Sequence, residues 1–476
     1  MVEKTTITMN CGKIIFYIVL IIFIIHVEIS LGEGMGINSD LLKKLIIAAS
    51  KNDDCSRRIT IQHPIPLRYR RVPGKDKFPC VIKMRSNDID INTVCNIVVS
   101  VIPSEEEHYK LLLDLEHQHE IDIWNELIRN GSVHIMFHQQ KKPQLMSLFH
   151  SLNMKPTILI NDVQKILDEE EQTLLAHARS RVAPGIHDTF HNYDQLTTWL
   201  KEIVNSHSTL ATLLSIGKTY ENRDIWLVKL TSNNGQAKKK IFMDFGIHAR
   251  EWISPATGAY IINELLTKYA TGGDAKTILD TWELHIVPVL NPDGYAHSHS
   301  TARMWRKNRR PTSGTCIGVD LNRNFGYMWN KGGSSSNPCD DTYHGGSAMS
   351  ENEAKALQNY MTNKPWDTYL TFHSYGQGYT TADPPNFNLL KSKAKVSADA
   401  IRSVNGRVYT IGSSAQLLYV ASGGSEDWTA GTLKILYSYC YELPPTGGTG
   451  FLAPTSEIKK TGHETYIGLV AFLKTF

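Results

Sequence analysis

The stretch Ile241–Trp252 reads Ile-Phe-Met-Asp-Phe-Gly-Ile-His-Ala-Arg-Glu-Trp, an apolar run followed by polar side chains. Its first five residues are almost wholly apolar, which is typical of a strand buried on both faces of a sheet. Gly246 interrupts the run, and His248 and Glu251 follow before the next helix signal. In an open α/β sheet, ligands bind beyond the carboxyl ends of the strands, so this order favours a functional site at the end of this strand.

Three further apolar runs have the same character, and helix signals separate them: Leu284–Leu290, Tyr369–Phe372 and Ile435–Tyr441. His373 directly follows the second of these runs, and Glu442 directly follows the third. Strands that alternate with helices indicate an α/β architecture, in which helices cover a mostly parallel sheet. We therefore predict a three-layer α/β/α domain over residues 182–476, built on a mixed, mostly parallel sheet.

Together these strand ends supply three candidate metal ligands, His248, Glu251 and His373, and a spare carboxylate, Glu442. Two imidazoles and one carboxylate, with a fourth position left open, suit a catalytic zinc ion, and we expect one per chain. The His-x-x-Glu spacing alone is weak evidence, because it recurs at His117–Glu120 on what reads as a solvated helix face. Three coincident strand ends are harder to explain as ordinary structural residues.

The chain has 476 residues, so two or more domains are expected. Its 50 Lys and Arg residues nearly balance its 47 Asp and Glu residues, and this gives no indication of nucleic-acid binding. Residues 94–181 read as a small α+β unit of ferredoxin-like type, with strands at Asn96–Ile102 and Val133–Phe137. Capping boxes are predicted at the starts of two helices, one in each domain: Ser104 with Glu107, and Ser350 with Glu353.

The N-terminus has the pattern of a secretory signal peptide. Residues 14–25 are apolar, Lys4 and Lys13 precede them, and small residues follow, so residues 1–32 are assigned to the signal. The alternative is an uncleaved anchor, but a membrane-spanning helix needs about 20 apolar residues, and His26 ends this run early. We therefore expect a secreted, extracellular protein with no stable membrane association.

Residues 33–93 read as an irregular extension with scattered prolines. Within them, Arg68-Tyr-Arg-Arg71 matches the R-x-R-R pattern of secretory-pathway processing enzymes, although a solvated loop would look the same.

The chemical state expected for the cysteines depends on the cellular compartment. No pair has C-x-x-C spacing, so a structural zinc site is not predicted. In an oxidising compartment, Cys316 and Cys339 could close a polar loop. Cys440 lies two residues before Glu442 on the same face of a strand, and we interpret it as a wall of the pocket and not as a nucleophile.

Further segments complete a recognisable pattern: Met304-Trp-Arg-Lys307, Gly318–Asn324 and Ala421–Trp428. With the strand-end residues, they resemble the zinc metallocarboxypeptidases of the pancreatic carboxypeptidase A/B type, in their secreted zymogen form, over about residues 94–476. The resemblance implies that His248, Glu251 and His373 bind zinc, and that Glu442 and Arg306 are catalytic. It implies substrate contacts at eight positions: Asn322, Arg323, Tyr419, Arg250, Ser374, Tyr375, Glu426 and Phe451.

The resemblance also implies a disulfide between Cys316 and Cys339 and an inhibitory prodomain over residues 94–181. A trypsin-like protease would activate the zymogen by cutting at Arg179 or Arg181. The substrates would be the C-termini of peptides and proteins, and the enzyme is expected to be a monomer.

Two features depart from the family pattern. Pro444-Pro445 stands where an Arg-Asp pair is familiar, which puts the shape of the following loop in doubt. For the extension at residues 33–93 we identify no counterpart in the pancreatic enzymes.

Glu426 occupies the position that largely sets side-chain preference in this family. Apolar-preferring members carry an aliphatic residue there and basic-preferring members an aspartate, so Glu426 predicts release of C-terminal Lys and Arg. The alternative is that Glu426 turns away or pairs with a protein cation, which would leave a preference for apolar or aromatic residues.

Two other classes of function are weighed against an enzyme. An inactive binding protein on the same fold would lack a ligand or Glu442, and none is missing. An adhesion or membrane-anchored protein would be favoured if the segment 14–25 stayed uncleaved. The sequon Asn130-Gly-Ser132 predicts a glycan that would leave with the prodomain.

Overall fold

The computed structural model describes residues 96–125, 131–179, 184–375, 378–381, 386–413, 421–444 and 449–476, together with two short N-terminal strands. These strands, β1 (Lys4–Ile7) and β2 (Ile59–Gln62), pair antiparallel within a separate compact unit. The rest of the predicted signal peptide and extension lies outside the described residues, as do Asn130, Arg181 and Tyr419. Within the described part of the chain, no helix combines the length and apolar character that crossing a membrane requires.

The first described region after the extension, residues 96–179, is a small α+β fold that we call the α+β region. Its elements follow one another in this order: β3 (Asn96–Val101), α1 (Glu106–His117), β4 (Asp122–Ile123), β5 (Val133–His138), α2 (Lys142–Ser151), β6 (Thr157–Ile160) and α3 (Val163–Arg179). The strands form an antiparallel sheet in the order β4-β5-β3-β6. Val99, Leu112, Ile135 and Phe149 are fully buried between the sheet and the helices, so the α+β prediction is confirmed.

The remaining described residues form one mixed sheet with the strand order β13-β12-β14-β11-β9-β10-β8-β7. Its strands are β7 (Ala211–Lys218), β8 (Asp224–Leu230), β9 (Lys239–Phe245), β10 (Trp282–Val287), β11 (Thr368–Ser374), β12 (Gly378–Thr381), β13 (Thr410–Ser413) and β14 (Tyr437–Leu443). The four apolar runs in the sequence become the adjacent parallel strands β14, β11, β9 and β10 at its centre. Antiparallel pairing occurs between β12 and β14 and among β10, β8 and β7, so the prediction of a mixed, mostly parallel sheet is confirmed.

Helices cover both faces of this sheet. They are α4 (Tyr193–Ser206), α5 (Ile253–Lys268), α6 (Gly273–Thr281), α7 (Pro292–Ser300), α8 (Asn352–Met361), α9 (Phe387–Asn405), α10 (Ser425–Gly431) and α11 (Ser456–Leu473). Ile241, Met243 and Phe245 of β9 face the core beneath α5, α9 and α11. Phe242, which points the other way, packs with Tyr369 in the core beneath α8 and α10. This alternation gives the predicted three layers.

The two predicted capping boxes do not form. Helix α1 begins at Glu106 with Glu105 as N-cap, and the Ser104 amide instead donates to His108 Nδ1 at 3.3 Å. Before α8, the Ser350 hydroxyl donates to Glu351 at 2.6 Å and accepts from Asn324 at 2.9 Å. Competing side-chain partners therefore occupy the groups that the capping boxes would have used.

A turn after β9 brings the chain to the end of the sheet. Gly246 has a φ of 63°, and a Cβ there would lie 2.8 Å from Pro255 Cγ, so the position requires glycine. The Gly246 amide donates to Ser254 Oγ at 3.0 Å, and that hydroxyl donates to the Phe372 carbonyl at 2.6 Å. The loop that carries His248 is thus tied to the end of β11.

Candidate active site

Three buried side chains converge where β9 and β11 end. His248, Glu251 and His373 are each at most 3% exposed, and their nearest ligand atoms all lie within 4.8 Å of one another. His248 Nδ1 lies 2.7 Å from Glu251 Oε1 and 3.2 Å from His373 Nδ1. The structure therefore brings together the three residues predicted to be metal ligands, from positions 125 residues apart in the chain.

The electrostatics of this cluster favour a bound cation. Burial alone would raise the pKa of Glu251, but His248 and His373 hold the pKa of that carboxyl well below its ordinary value. Burial lowers the pKa of His373, but the Glu251 carboxylate outweighs it and raises the pKa to about 9. The Ser374 amide donates to Glu251 Oε2 at 3.1 Å, which also stabilises the ionised carboxylate. Two facing ring nitrogens and a carboxylate in one buried space are a donor set that fits zinc.

Asp320, for which the sequence predicted no role, connects the three candidate metal ligands to Arg306. Its Oδ1 lies 3.1 Å from His248 Nε2, and its Oδ2 accepts from Arg306 Nη2 at 2.9 Å and Nε at 3.1 Å. Burial would raise the pKa of Asp320, but Arg306 and His248 hold it well below its ordinary value. A carboxylate on the outer nitrogen of a metal-binding histidine fixes the orientation of the ring. The only sequence signal for it was its position inside Gly318–Asn324.

Glu442 lies beside the cluster on the neighbouring strand. It pairs in register with His373, is 7% exposed, and lines the same cavity as the three candidate ligands and Arg306. The thiol of Cys440 lies on the same face of β14, with Sγ 3.9 Å from Glu442 Oε1. The cavity is therefore lined by the three candidate metal ligands, the Glu442 carboxylate and the Arg306 guanidinium.

Asn322 and Arg323 form a short turn against a glycine-rich loop, and neither side chain lines the cavity that holds Glu442 and Arg306. Asn322 Oδ1 accepts from the Ser425 amide at 2.9 Å, and Arg323 Nε donates to the Gly333 carbonyl at 3.0 Å. Gly423 has a φ of 81°, and a Cβ there would lie 2.3 Å from the Arg323 carbonyl oxygen. This close approach brings the start of helix α10 next to Arg323. Cys316 and Cys339 form a disulfide that closes a loop of the chain containing both Asn322 and Arg323.

Glu426 lies in the first turn of α10 and is partly buried. Its carboxylate accepts from Ser425 Oγ at 3.4 Å, and no Lys, Arg or His among the described residues forms an ion pair with it. Burial, and then the charge of Glu426, raise the pKa of the neighbouring Asp427 to about 7. The electrostatic environment at the start of α10 is therefore acidic.

The outer wall of the cavity is covered by strand β4 of the α+β region. Arg250 Nη1 lies 3.3 Å from Asp122 Oδ1, and its guanidinium lies 4.4 Å from the centre of the Phe451 ring. The Trp124 ring packs against Phe451 with 5.5 Å between ring centres. The Tyr375 hydroxyl, also on this wall, lies 2.9 Å from Nδ1 of His134 in the α+β region. Three of the predicted outer substrate contacts are thus occupied by the α+β region.

A further ion pair holds the α+β region in place. Arg303 donates to Glu170 of α3 at 2.7 Å, and its guanidinium lies 3.6 Å from the centre of the Trp252 ring. Burial, followed by the charge of Asp122, raises the pKa of Glu116 to about 8, so this carboxyl lines the cavity in its neutral form at neutral pH. Helix α3 ends at Arg179, and Arg181, the other predicted cleavage position, lies outside the described residues.

Comparisons with known proteins agree with this arrangement. Residues 196–468 match the family described as zinc carboxypeptidase, and residues 99–170 match the carboxypeptidase activation peptide. Carboxypeptidase A2 of Mus musculus is 36% identical over 79% of this chain and 93% of that relative. Carboxypeptidase B of Astacus astacus is 39% identical over 59% of this chain and 95% of that relative.

A solved structure has the same fold over both regions. Carboxypeptidase A from Helicoverpa armigera superposes with a TM-score of 0.73 at 28% identity, over 80% of this chain and 97% of that one. With the family matches and the buried cluster at the strand ends, this chain belongs to the zinc carboxypeptidase family and carries an activation peptide ahead of its catalytic region.

Proposed function

We propose that this protein is a secreted zymogen whose mature form removes single Lys or Arg residues from the C-termini of peptides and proteins. The observation that carries the proposal is the side-chain set around one cavity. His248, Glu251 and His373 would hold one zinc ion, with Glu442 and Arg306 beside them. Zinc bound there would lower the pKa of a bound water to about 7 and polarise the scissile carbonyl.

The protein's own residues perform the proton transfer. The Glu442 carboxylate, buried and close to His373, is suited to take a proton from the attacking water and to pass it to the leaving amine. Arg306, held by Asp320 through two hydrogen bonds, presents its guanidinium to the oxyanion of the tetrahedral intermediate. A preorganised donor of this kind contributes about 3–4 kcal/mol. No serine or cysteine nucleophile is needed.

An exopeptidase must also recognise a free terminal carboxylate. A guanidinium can bind a carboxylate through two parallel charge-assisted hydrogen bonds, and Arg323 with Asn322 is suited to do so. Both are buried, and Asn322 accepts a hydrogen bond from the Ser425 amide at the start of α10. We assign Arg250, Ser374, Tyr375 and Phe451 to the preceding substrate residues, and Tyr419 to the cover over the terminal residue.

The preference for basic residues rests on Glu426. Its carboxylate has no ion-pair partner among the described residues, and the undescribed segments that come after residue 184, namely 376–377, 382–385, 414–420 and 445–448, contain no Lys, Arg or His. A carboxylate sealed beneath a substrate without a partner is strongly unfavourable. A substrate Lys or Arg supplies the missing cation, and the extra methylene of glutamate relative to aspartate favours the slimmer Lys.

The specificity prediction is tested with matched peptides that end in Lys, Arg, Phe or Leu. The wild-type enzyme should give a higher kcat/KM for Lys and Arg than for Phe and Leu. Losing one partner of a buried charge pair costs about 2–5 kcal/mol, so Glu426→Ile should lower kcat/KM for Lys by about 30-fold or more. Glu426→Gln, which keeps the shape and removes the charge, should do the same. A preference for Phe or Leu that is unchanged in Glu426→Ile would refute the assignment.

The second prediction concerns latency. We propose that the α+β region, with boundaries near 94 and 181, inhibits the enzyme by covering the cleft until cleavage at Arg179 or Arg181. If docking stabilises the covered state by about 3 kcal/mol, only about 1% of uncleaved molecules expose the cleft, so cleavage by trypsin in dilute solution should raise the rate on large peptides about 100-fold. Hydrolysis is measured before and after cleavage. Full activity in the uncleaved chain would contradict the proposal.

Variants of the α+β region refine this test. Trp124→Ala removes the ring that packs on Phe451, so it should raise the activity of the uncleaved chain. Lys165→Ala is the matched control, because this side chain of α3 is 66% exposed and pairs only loosely with Glu169. The control should stay as latent as the wild type.

Secretion is proposed from the apolar segment 14–25. N-terminal sequencing of protein collected outside the cells should show a chain that starts at residue 33 or at a later residue. A product that still carries the segment would instead be an anchored protein.

A further inference from the structure

We propose that Thr371 and Asp244 are positioning residues that hold the His373 ring so that Nδ1, and not Nε2, binds the metal ion. The inference rests on the ligand set proposed above. Thr371 and His373 lie on the same face of β11, two residues apart, and Asp244 lies opposite Thr371 in the register of β9. A buried carboxylate, one hydroxyl and one imidazole therefore form a continuous line behind the metal site.

The hydrogen bonds along this line fix the position of each proton. Thr371 Oγ1 donates to Asp244 Oδ1 at 2.8 Å, and the Tyr369 hydroxyl donates to Asp244 Oδ2 at 2.5 Å. An ionised carboxylate only accepts hydrogen bonds, so the single hydroxyl proton of Thr371 is directed at Asp244. The Thr371 oxygen then has only lone pairs left for His373 Nε2, which lies 3.2 Å away. Nε2 must therefore carry a proton, and Nδ1 is the nitrogen that faces His248 and Glu251.

Asp244 is able to stay ionised while it does this. Burial raises the pKa of Asp244 to about 6, while the hydrogen bonds from Tyr369 and Thr371 oppose the rise. The carboxyl is 0% exposed and accepts from two hydroxyls, so it is a fixed acceptor at neutral pH.

The two imidazoles are then supported in different ways. His248 contacts a buried carboxylate directly, with Nε2 3.1 Å from Asp320. His373 reaches its carboxylate only through the Thr371 hydroxyl. Groups on the outer nitrogen of a ligating histidine fix its tautomer and orientation, and their loss typically costs about 10–100-fold in metal affinity. Removing one hydroxyl at Thr371 should therefore weaken metal binding without touching a ligand.

The test measures the zinc dissociation constant of the full chain by competition with a chelator, and the melting temperature of the metal-free form. Thr371→Val keeps the shape and removes the hydroxyl, and it should weaken zinc binding about 10–100-fold. Thr371→Ser restores the hydroxyl and should bring the affinity back to within about threefold of wild type, a difference of less than 1 kcal/mol. Asp244→Asn should weaken binding like Thr371→Val, because its amide can donate to the threonine oxygen and free the hydroxyl proton to turn towards His373.

The matched control is Tyr369→Phe, which removes a hydroxyl from the same carboxylate but does not interrupt the line to His373. It should lower the melting temperature of the metal-free form while zinc affinity stays within about threefold of wild type. Equal zinc affinity in Thr371→Val and wild type would overturn the proposal, as would an equal loss in Thr371→Val and Tyr369→Phe. His373→Ala separates the two levels of inference, because full zinc binding in that variant would overturn the ligand set itself.

Discussion

Replacing His248 with alanine is expected to remove the bound metal ion and the peptidase activity together. His248 supplies one of three proposed ligands, and its other ring nitrogen contacts Asp320, which also holds Arg306. The substitution therefore removes a ligand and leaves Asp320 with one partner fewer. The loss of zinc affinity should exceed the approximately 10–100-fold that follows removal of an outer-shell partner.

The variant is measured by metal content after dialysis and by kcat/KM after activation. His117→Ala is a matched control, because His117 is the histidine of the second His-x-x-Glu motif and is exposed at the end of α1. That control should bind zinc as the wild type does. Full zinc occupancy in His248→Ala would refute the ligand assignment.

Replacing Glu442 with glutamine should abolish most of the activity and leave the metal ion bound. Glutamine keeps the shape of the side chain but cannot accept the proton that a general base must take. General acid–base catalysis contributes about 10²–10⁴-fold, so kcat should fall by about that factor. Zinc content should stay at wild-type level, since Glu442 is outside the ligand cluster.

The thiol beside Glu442 provides the control for this experiment. Cys440→Ser changes a group that lies 3.9 Å from the Glu442 carboxylate but has no proposed part in proton transfer. It should affect kcat far less than Glu442→Gln does. The reverse order, with Cys440→Ser inactive and Glu442→Gln active, would show that the general base has been assigned to the wrong residue.

The centre of the fold could be predicted from the sequence because its signal is local. The four central parallel strands are near-continuous apolar runs, and burial on both faces requires that pattern. The outer strands β7, β8, β12 and β13 were not predicted, since strands at and next to the edges of a sheet carry mixed polar and apolar side chains. The predicted capping boxes at Ser104 and Ser350 failed because residues distant in the chain, such as Asn324, or nearby side chains, such as His108, offered other partners.

In the candidate site, too, only the residues with a local sequence signal could be predicted. His248, His373 and Glu442 could be identified because each ends or directly follows an apolar run. Asp320 lies 72 residues from His248, and Asp244 lies 127 residues from Thr371. An isolated aspartate carries no local pattern that points to a partner so far away. The carboxylates that support the candidate ligands therefore required the folded structure, although the candidate ligands themselves could be proposed from the sequence.

If the α+β region inhibits the enzyme as proposed, its contacts with the cleft make the onset of activity depend on dilution. In the uncleaved chain, Asp122 meets Arg250 and Trp124 meets Phe451 as parts of one molecule, so the inhibitor is present at an effective concentration on the order of millimolar. Cleavage at the proposed position near the end of α3 would leave these contacts in place and remove only the tether. In a concentrated solution the severed α+β region should then stay bound, whereas in a dilute one it should diffuse away and open the cleft.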